Sequence, residues 1–304
     1  MKLDTRLVHK IIRSNLNLNN MYRWYLSHCL SLNVPYHNMR HTLGMMYHII
    51  VLYNNSRRVD SDYGFSLNDE DLYILLVSAL FHDFNHSAGR FDDATNVSTA
   101  ISGLRDCMET CLVWDETTEE YYKKCSDNIK ATQYPYIISD DDLTVHQRIL
   151  RECDILVILY DDCITQNIMG LAAEMHQTHL EEFFVKYLDF IFNAVKNFKL
   201  AYSLDTWKEH SDTLLKNSTN LLKYSKIKLM QDFLIRLKYA WKCFVLGWKN
   251  EKRKEAIEMF ERLNNVSRAN IEYVNKDTDI VNLYSTDDEL DVDFAIASMH
   301  RLRD

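Results

Sequence analysis

Apolar residues recur at three- and four-residue intervals through most of the chain, the period of amphipathic helices rather than of strands. Residues 72–81 (LYILLVSALF) depart from that pattern, being apolar at nearly every position. A helix without a polar face must be surrounded by protein. This one is therefore predicted to be central and to carry the residues that follow it, His82, Asp83 and His86, into the interior. Polar stretches interrupt the periodicity at 54–68, 87–95 and 134–142, and the last contains Pro135 and three consecutive Asp. Asn68 followed by Asp69, Glu70 and Asp71 predicts a helix start, with a side-chain cap and acidic residues at the positive end of the helix dipole. Residues 276–290 are acidic and weakly periodic and are read as a loose appendage. There is no internal repeat and no segment that resembles an interdomain linker.

Composition supports an all-α fold. The 304 residues include only 6 Gly and 2 Pro, whereas sheets with tight hairpins consume both at their turns. The formal net charge of -9 disfavours nucleic acid as a main partner, although it leaves room for a local anion pocket. Seven cysteines without a C-x-x-C pair argue against a disulfide framework or a Cys-rich zinc site and favour a reducing compartment. The first 20 residues are polar and Asn-rich, unlike a secretion signal, and no apolar run approaches the roughly 20 residues that a membrane-spanning helix needs. A cytoplasmic protein without membrane attachment is expected.

Three segments carry candidate chemistry. In Tyr36-His37-Asn38-Met39-Arg40-His41, a helix starting near Pro35 would place His37 and His41 on one face, either as ligands or as a solvent-facing pair. Asp83, at the end of the apolar helix, needs a positive partner, which a metal or a neighbouring Arg would supply. Asp154 lies in ILRECDILVILY, sharing a largely apolar helical stripe with Leu150, Val157 and Ile158. Arg151, three residues back, is the alternative to a metal as its counter-charge. Taken together, two imidazoles and two carboxylates suit a divalent ion with open water positions. Such an ion makes a hydroxide nucleophile near neutral pH and stabilises phosphoryl oxyanions, so the chemistry implied is hydrolysis at phosphorus.

The order His41, His82-Asp83, Asp154 resembles the H…HD…D signature of the HD superfamily of metal phosphohydrolases. The closer likeness is to the catalytic domain of class I 3',5'-cyclic nucleotide phosphodiesterases. Residues 36–41 resemble that family's Y-H-N-x-x-H, His82 to His86 its H-D-x-x-H, and Ala131-Thr132 its I-x-A-T; Cys153-Asp154-Ile155 stands where the last metal Asp belongs. Weaker likeness continues through Phe190-Ile191 to Asp212-Thr213-Leu214. The resemblance implies a multi-helix HD-type bundle around a buried metal site. It also implies two divalent ions (Mg, Mn, Zn or Fe) held by His41, His82, Asp83 and Asp154, with Asp83 shared between them. His37 would protonate the leaving alkoxide, and His86 would be hydrogen-bonded near the metal water. Phe190 would stack on a base. Tyr187 stands where the family has a purine-binding Gln, and a phenol cannot copy a carboxamide's paired donor and acceptor. The acidic residue that the family carries in the helix after the HD motif is missing around Ser98 and Thr99, and Leu156-Val157-Ile158 replaces a Ser-Asn-Pro.

The domain reading is a helical extension over 1–35, a catalytic domain over 36–224, and C-terminal helices with an acidic tail over 225–304. The expected activity is hydrolysis of a small nucleotide-like phosphoester, with cyclic nucleotides among the candidates. The alternatives are a nucleotidase or dNTP hydrolase of the same superfamily, or a nucleotide-binding protein of weak activity on the same scaffold.

Overall fold

Helix-forming sequence and strong N-caps set the architecture. The computed structural model of the chain describes residues 3–32, 34–58, 64–160, 170–175, 183, 187, 190, 194, 195 and 197–210. Among these residues every regular element is helical: α1 (Thr5–Ser14), α2 (Leu16–His28), α3 (Met39–Ser56), α4 (Asp69–Phe81), α5 (Asp93–Cys111), α6 (Glu116–Lys130), α7 (Val145–Leu156) running into a 3-10 turn (Val157–Leu159), and α8 (Leu171–Glu174). Residues 201–210 are helical as well. No described helix is long and apolar enough to cross a membrane. The described cysteines Cys29, Cys107, Cys111, Cys125 and Cys153 are free thiols. The acidic tail expected at 276–290, the C-terminal helices expected after 224, and Ile191 and Asp212-Thr213-Leu214 of the family likeness lie outside the described residues.

The chain divides into two units. The first comprises Met1–Leu32, His37–Asp161 and Asp189–Leu214; the second comprises Asn33–Tyr36, Asp162–Leu188 and Leu215–Asp304. In the first, α4 packs against α2, α3, α5, α6 and α7, while α1 and α2 pack on each other and on α3 and α5 respectively. Every residue of α4 from Ile74 to Phe81 is buried, as its uninterrupted apolar run predicts. Its start is also as predicted. The Asn68 carboxamide accepts the Asp71 N–H and the Asp71 carboxylate accepts the Asn68 N–H, a reciprocal capping box.

The turn after α4 is held by an aromatic cluster. Phe84 packs on Trp24, Tyr25 and Phe81. Gly103 in α5 passes so close to this ring that a Cβ there would lie 2.3 Å from it, so only glycine admits the approach. At the far end of α7, Tyr160 donates to the Gly44 carbonyl at 3.0 Å and fixes α3 beside the 3-10 turn. The buried Glu152 carboxylate accepts the N–H groups of Lys199 and Leu200 at 2.8 and 3.3 Å, anchoring the start of the helical stretch 201–210. In the second unit, the Glu174 carboxylate accepts the Tyr36 N–H at 2.5 Å.

His48, fully buried in α3, meets the Tyr202 hydroxyl at 2.8 Å. Burial depresses its pKa to about 3, outweighing the opposing pull of the Leu156 carbonyl. The folded state therefore resists a proton that the unfolded chain takes up below about pH 6.5. Stability from this group is complete above that pH and falls as the medium is acidified toward pH 3, by at most about 1.4 kcal/mol per pH unit. Urea titrations between pH 7 and pH 4 should show this slope, and His48→Phe should lack its contribution.

Candidate metal centre

The backbone first decides where each imidazole can go. Asn38 caps α3, its side chain accepting the N–H groups of Arg40 and His41 at 2.9 and 3.3 Å. The helix therefore begins at Met39, not near Pro35 as expected. His37 precedes the cap, so it does not share a helical face with His41. The two rings still come within 6.0 Å, edge to face, because the chain bends at the cap. His41 lies in the first turn of α3 and is 3% exposed.

His82 and Asp83 follow α4 immediately. The turn that carries them is fastened to the end of α2's connection: Ser31 donates to the Asp83 carbonyl at 3.3 Å, and Leu30 N–H donates to the Asn85 side chain at 2.6 Å. Asn85 and Ala88 both adopt left-handed backbone (φ 56° and 50°), which costs energy for a residue with a Cβ and is least costly for Asn. Asp154 comes from the last turn of α7.

These elements bring four side chains to one point. His41 Nε2 lies 2.9 Å from Asp154 Oδ1 and 3.4 Å from Asp83 Oδ2. His82 Nε2 lies 2.9 Å from Asp83 Oδ2, 3.8 Å from Asp154 Oδ1 and 3.2 Å from His41 Nε2. The tautomer of His82 is fixed by chemistry: its Nδ1 is 2.7 Å from the Ala79 carbonyl, which can only accept, so Nδ1 carries the proton. In the neutral ring Nε2 is then a lone pair. It faces another imidazole nitrogen and two carboxylate oxygens. Asp83 Oδ2 is buried and receives no hydrogen bond of good geometry in spite of these short distances. A cation with ligands about 2.1 Å away separates neighbouring ligand atoms by about 3.0 to 3.4 Å in octahedral or tetrahedral arrangement, close to the spacings found here. The donor set thus fits a divalent ion, and His41, His82 and Asp154 form one group able to hold it.

Electrostatics point the same way. Burial disfavours the Asp83 carboxylate, but the imidazoles of His82, His37 and His41 outweigh it and hold its pKa well below the usual range. Burial likewise opposes a proton on His82, yet Asp83 and Asp154 raise its pKa to about 9. The carboxylates thus favour positive charge on the imidazoles beside them.

Arg151 does not provide that charge. Its guanidinium donates to the carbonyls of Ala131 and Ile138 and to Asp140 at 2.8 Å, and lies 3.9 Å over the Tyr136 ring. It clamps the loop between α6 and α7 and leaves the Asp154 carboxylate to the histidines.

A second group lies beside the first. His37, Asp83 and His86 could also hold an ion, and Asp83 Oδ2 lies close to His82 and His41 of the first group as well. His86 stacks on His37 with ring centres 3.7 Å apart. It is fixed by the Ala88 N–H on Nδ1 at 3.1 Å and by the Asn96 carboxamide, which spans from the Ser87 N–H to His86 Nε2. Asp93, in the first turn of α5, approaches His86 Nε2 at 4.0 Å. Burial raises the Asp93 pKa, the Tyr134 N–H opposes this, and Asp83 adds to it. Asp93 thus stands beside this histidine pair, ahead of Ser98 and Thr99 on α5. Its sequence signal, an Asp directly after the α5 cap Asp92, is indistinguishable from an ordinary helix-start acid. Asn96 gave no signal.

Of the two expected substrate contacts, Phe190 packs at right angles on Tyr134, 5.1 Å between centroids. Tyr187 belongs to the second unit, where it is buried and stacks on Phe183. Comparison with protein-family models, curated proteins and solved structures found no match.

Mn²⁺ at about 100 times its dissociation constant should stabilise the wild type by about 2.7 kcal/mol, seen as a rise in Tm. Asp83→Ala, which removes the carboxylate lying between the two groups, should show no such rise.

Proposed function

We propose that this chain is a metal-dependent phosphohydrolase acting on a small nucleotide-like phosphoester, with 3',5'-cyclic nucleotides among its candidate substrates. The observation that carries the reading is the convergence of His41, His82, Asp83 and Asp154 on one point, with the competing counter-charge, Arg151, engaged elsewhere. When bound, a divalent ion supplies positive charge against phosphoryl oxygens and makes water acidic enough to attack near neutral pH.

The protein's own groups account for the rest. Asp83 and Asp154 hold the negative charge that retains the cation, while the Ala79 carbonyl orients His82. Asp83, a member of the His37/His86 group that also lies 2.9 Å from His82 Nε2 and 3.4 Å from His41 Nε2, is suited to bridging two ions. His37 stands half-buried against His86 and is the proton donor for the leaving alkoxide, a role that imidazole fills because its pKa lies near working pH. Asp93 holds the outer side of this histidine pair.

Incubation with Mn²⁺ or Mg²⁺ and a panel of cyclic nucleotides, nucleoside mono- and triphosphates and an aryl phosphodiester should yield turnover of at least one substrate. Absence of turnover on all of them rejects the proposal, and cleavage of nucleotides without any cyclic substrate moves it to a nucleotidase. His37→Ala should lower turnover by roughly 10²- to 10⁴-fold, the usual worth of a positioned acid. Metal content measured by elemental analysis should stay near that of the wild type, and its loss would make His37 a ligand instead.

A further inference from the structure

The spacing Cys107-x-x-x-Cys111 sets two thiols on one face of α5. Their sulfurs lie 3.9 Å from each other. Cys107 is fully buried, whereas Cys111, the last residue of α5, is partly exposed and opens the pair to water. The groups around them are soft or neutral. The Cys107 thiol donates to the Met21 carbonyl of α2 at 3.9 Å, and the Met21 thioether accepts the Tyr73 hydroxyl of α4 at 3.5 Å. Burial raises the pKa of that phenol and the thiols of Cys125, Cys107 and Cys111 add to the effect, so three cysteines from α5 and α6 gather about one tyrosine. This sulfur-lined seam is separate from the His/Asp groups, because Tyr73 stands roughly 13 Å along α4 from His82.

Two thiols this close can form a disulfide or a chelate, and helix geometry favours the chelate. Residues four apart on a helix hold their Cβ atoms about 5 to 6 Å apart, against about 3.5 to 4.5 Å in a disulfide, so a bridge would unwind the end of α5. An ion with metal–sulfur bonds of about 2.3 Å and tetrahedral angles separates its sulfurs by about 3.8 Å, close to the spacing already present. Charge agrees with this. Burial, and after it the neighbouring Cys111, hold the Cys107 pKa well above the ordinary thiol range, so a lone thiolate is costly there. Two thiolates and one divalent ion are neutral together.

We propose that Cys107 and Cys111 are a chelating pair for a thiophilic divalent ion of the zinc group, taken up from solvent at Cys111. Two S–H bonds break as two metal–sulfur bonds form, both protons leave to water, and no electron is transferred. Water completes the coordination on the exposed side, and soft sulfur ligands select such an ion over Mg²⁺. The site stands whether or not the His/Asp centre hydrolyses a phosphoester.

Cd²⁺ is the probe, because thiolates bound to it give an ultraviolet charge-transfer band that imidazole and carboxylate ligands do not. Titrated into the reduced full chain, it should produce this band and saturate it at one ion per chain. Cys107→Ser and Cys111→Ser should each lose the band, and Cys125→Ser should keep it. Should a serine variant be unfolded by circular dichroism, the wild type supplies a second measurement. Phenylarsine oxide, which requires two neighbouring thiols, should add to the peptide that carries Cys107 and Cys111 and remove the band. A wild type without the band, a band that survives in folded Cys107→Ser or Cys111→Ser or is lost in folded Cys125→Ser, or an arsenical adduct absent from that peptide overturns the proposal.

Discussion

In the interior of the first unit two imidazole nitrogens and two carboxylate oxygens come together, with His–His and His–Asp separations of 2.9 to 3.8 Å, a cluster that positive charge among them stabilises, whether a proton on His82 or a bound cation. Much of the surrounding structure serves to impose that meeting. Asn38 sets the start of α3 and with it the height of His41. The aromatic cluster around Phe84 holds the turn after α4, and the Ala79 carbonyl selects the tautomer that turns a lone pair of His82 inward. Left-handed backbone at Asn85 and Ala88 is sustained because both flanks of the turn are fastened.

The burial of α4 was legible in sequence because it depends on composition alone: ten nearly uninterrupted apolar residues leave a helix no face to give to water. The capping box at Asn68 was legible for a related reason, since its donors and acceptors lie within four residues. The start of α3 was misread at Pro35. Proline favours a first helical turn, but Asn38 offers a side-chain acceptor for two free N–H groups, and that local competition places the start four residues later, at Met39.

The site was legible as a set of residue types and illegible as a network. Nothing in the spacing of Arg151 and Asp154 says whether they pair, because both lie on one helix at a distance that permits it. The answer depends on carbonyls of residues 131–138, which come from a loop whose path no periodicity predicts. Asp93 and Asn96 were hidden for the same reason. Each reads locally as part of a helix start, and their approach to His86 follows from how α5 crosses the turn, which Gly103 governs through its clearance of Phe84.

Arg151 and Asp154 stand on the same helix about one turn apart, a spacing that backbone hydrogen bonds keep nearly constant. One residue grips the loop and the other faces the histidines, so α7 behaves as a short strut joining the two. Any rearrangement that pulled residues 131–140 outward would have to break the guanidinium's grip or drag the carboxylate with it. Variation in that loop is consequently tolerated where it leaves the Ala131 and Ile138 carbonyls, the Asp140 carboxylate and the Tyr136 ring within reach of Arg151.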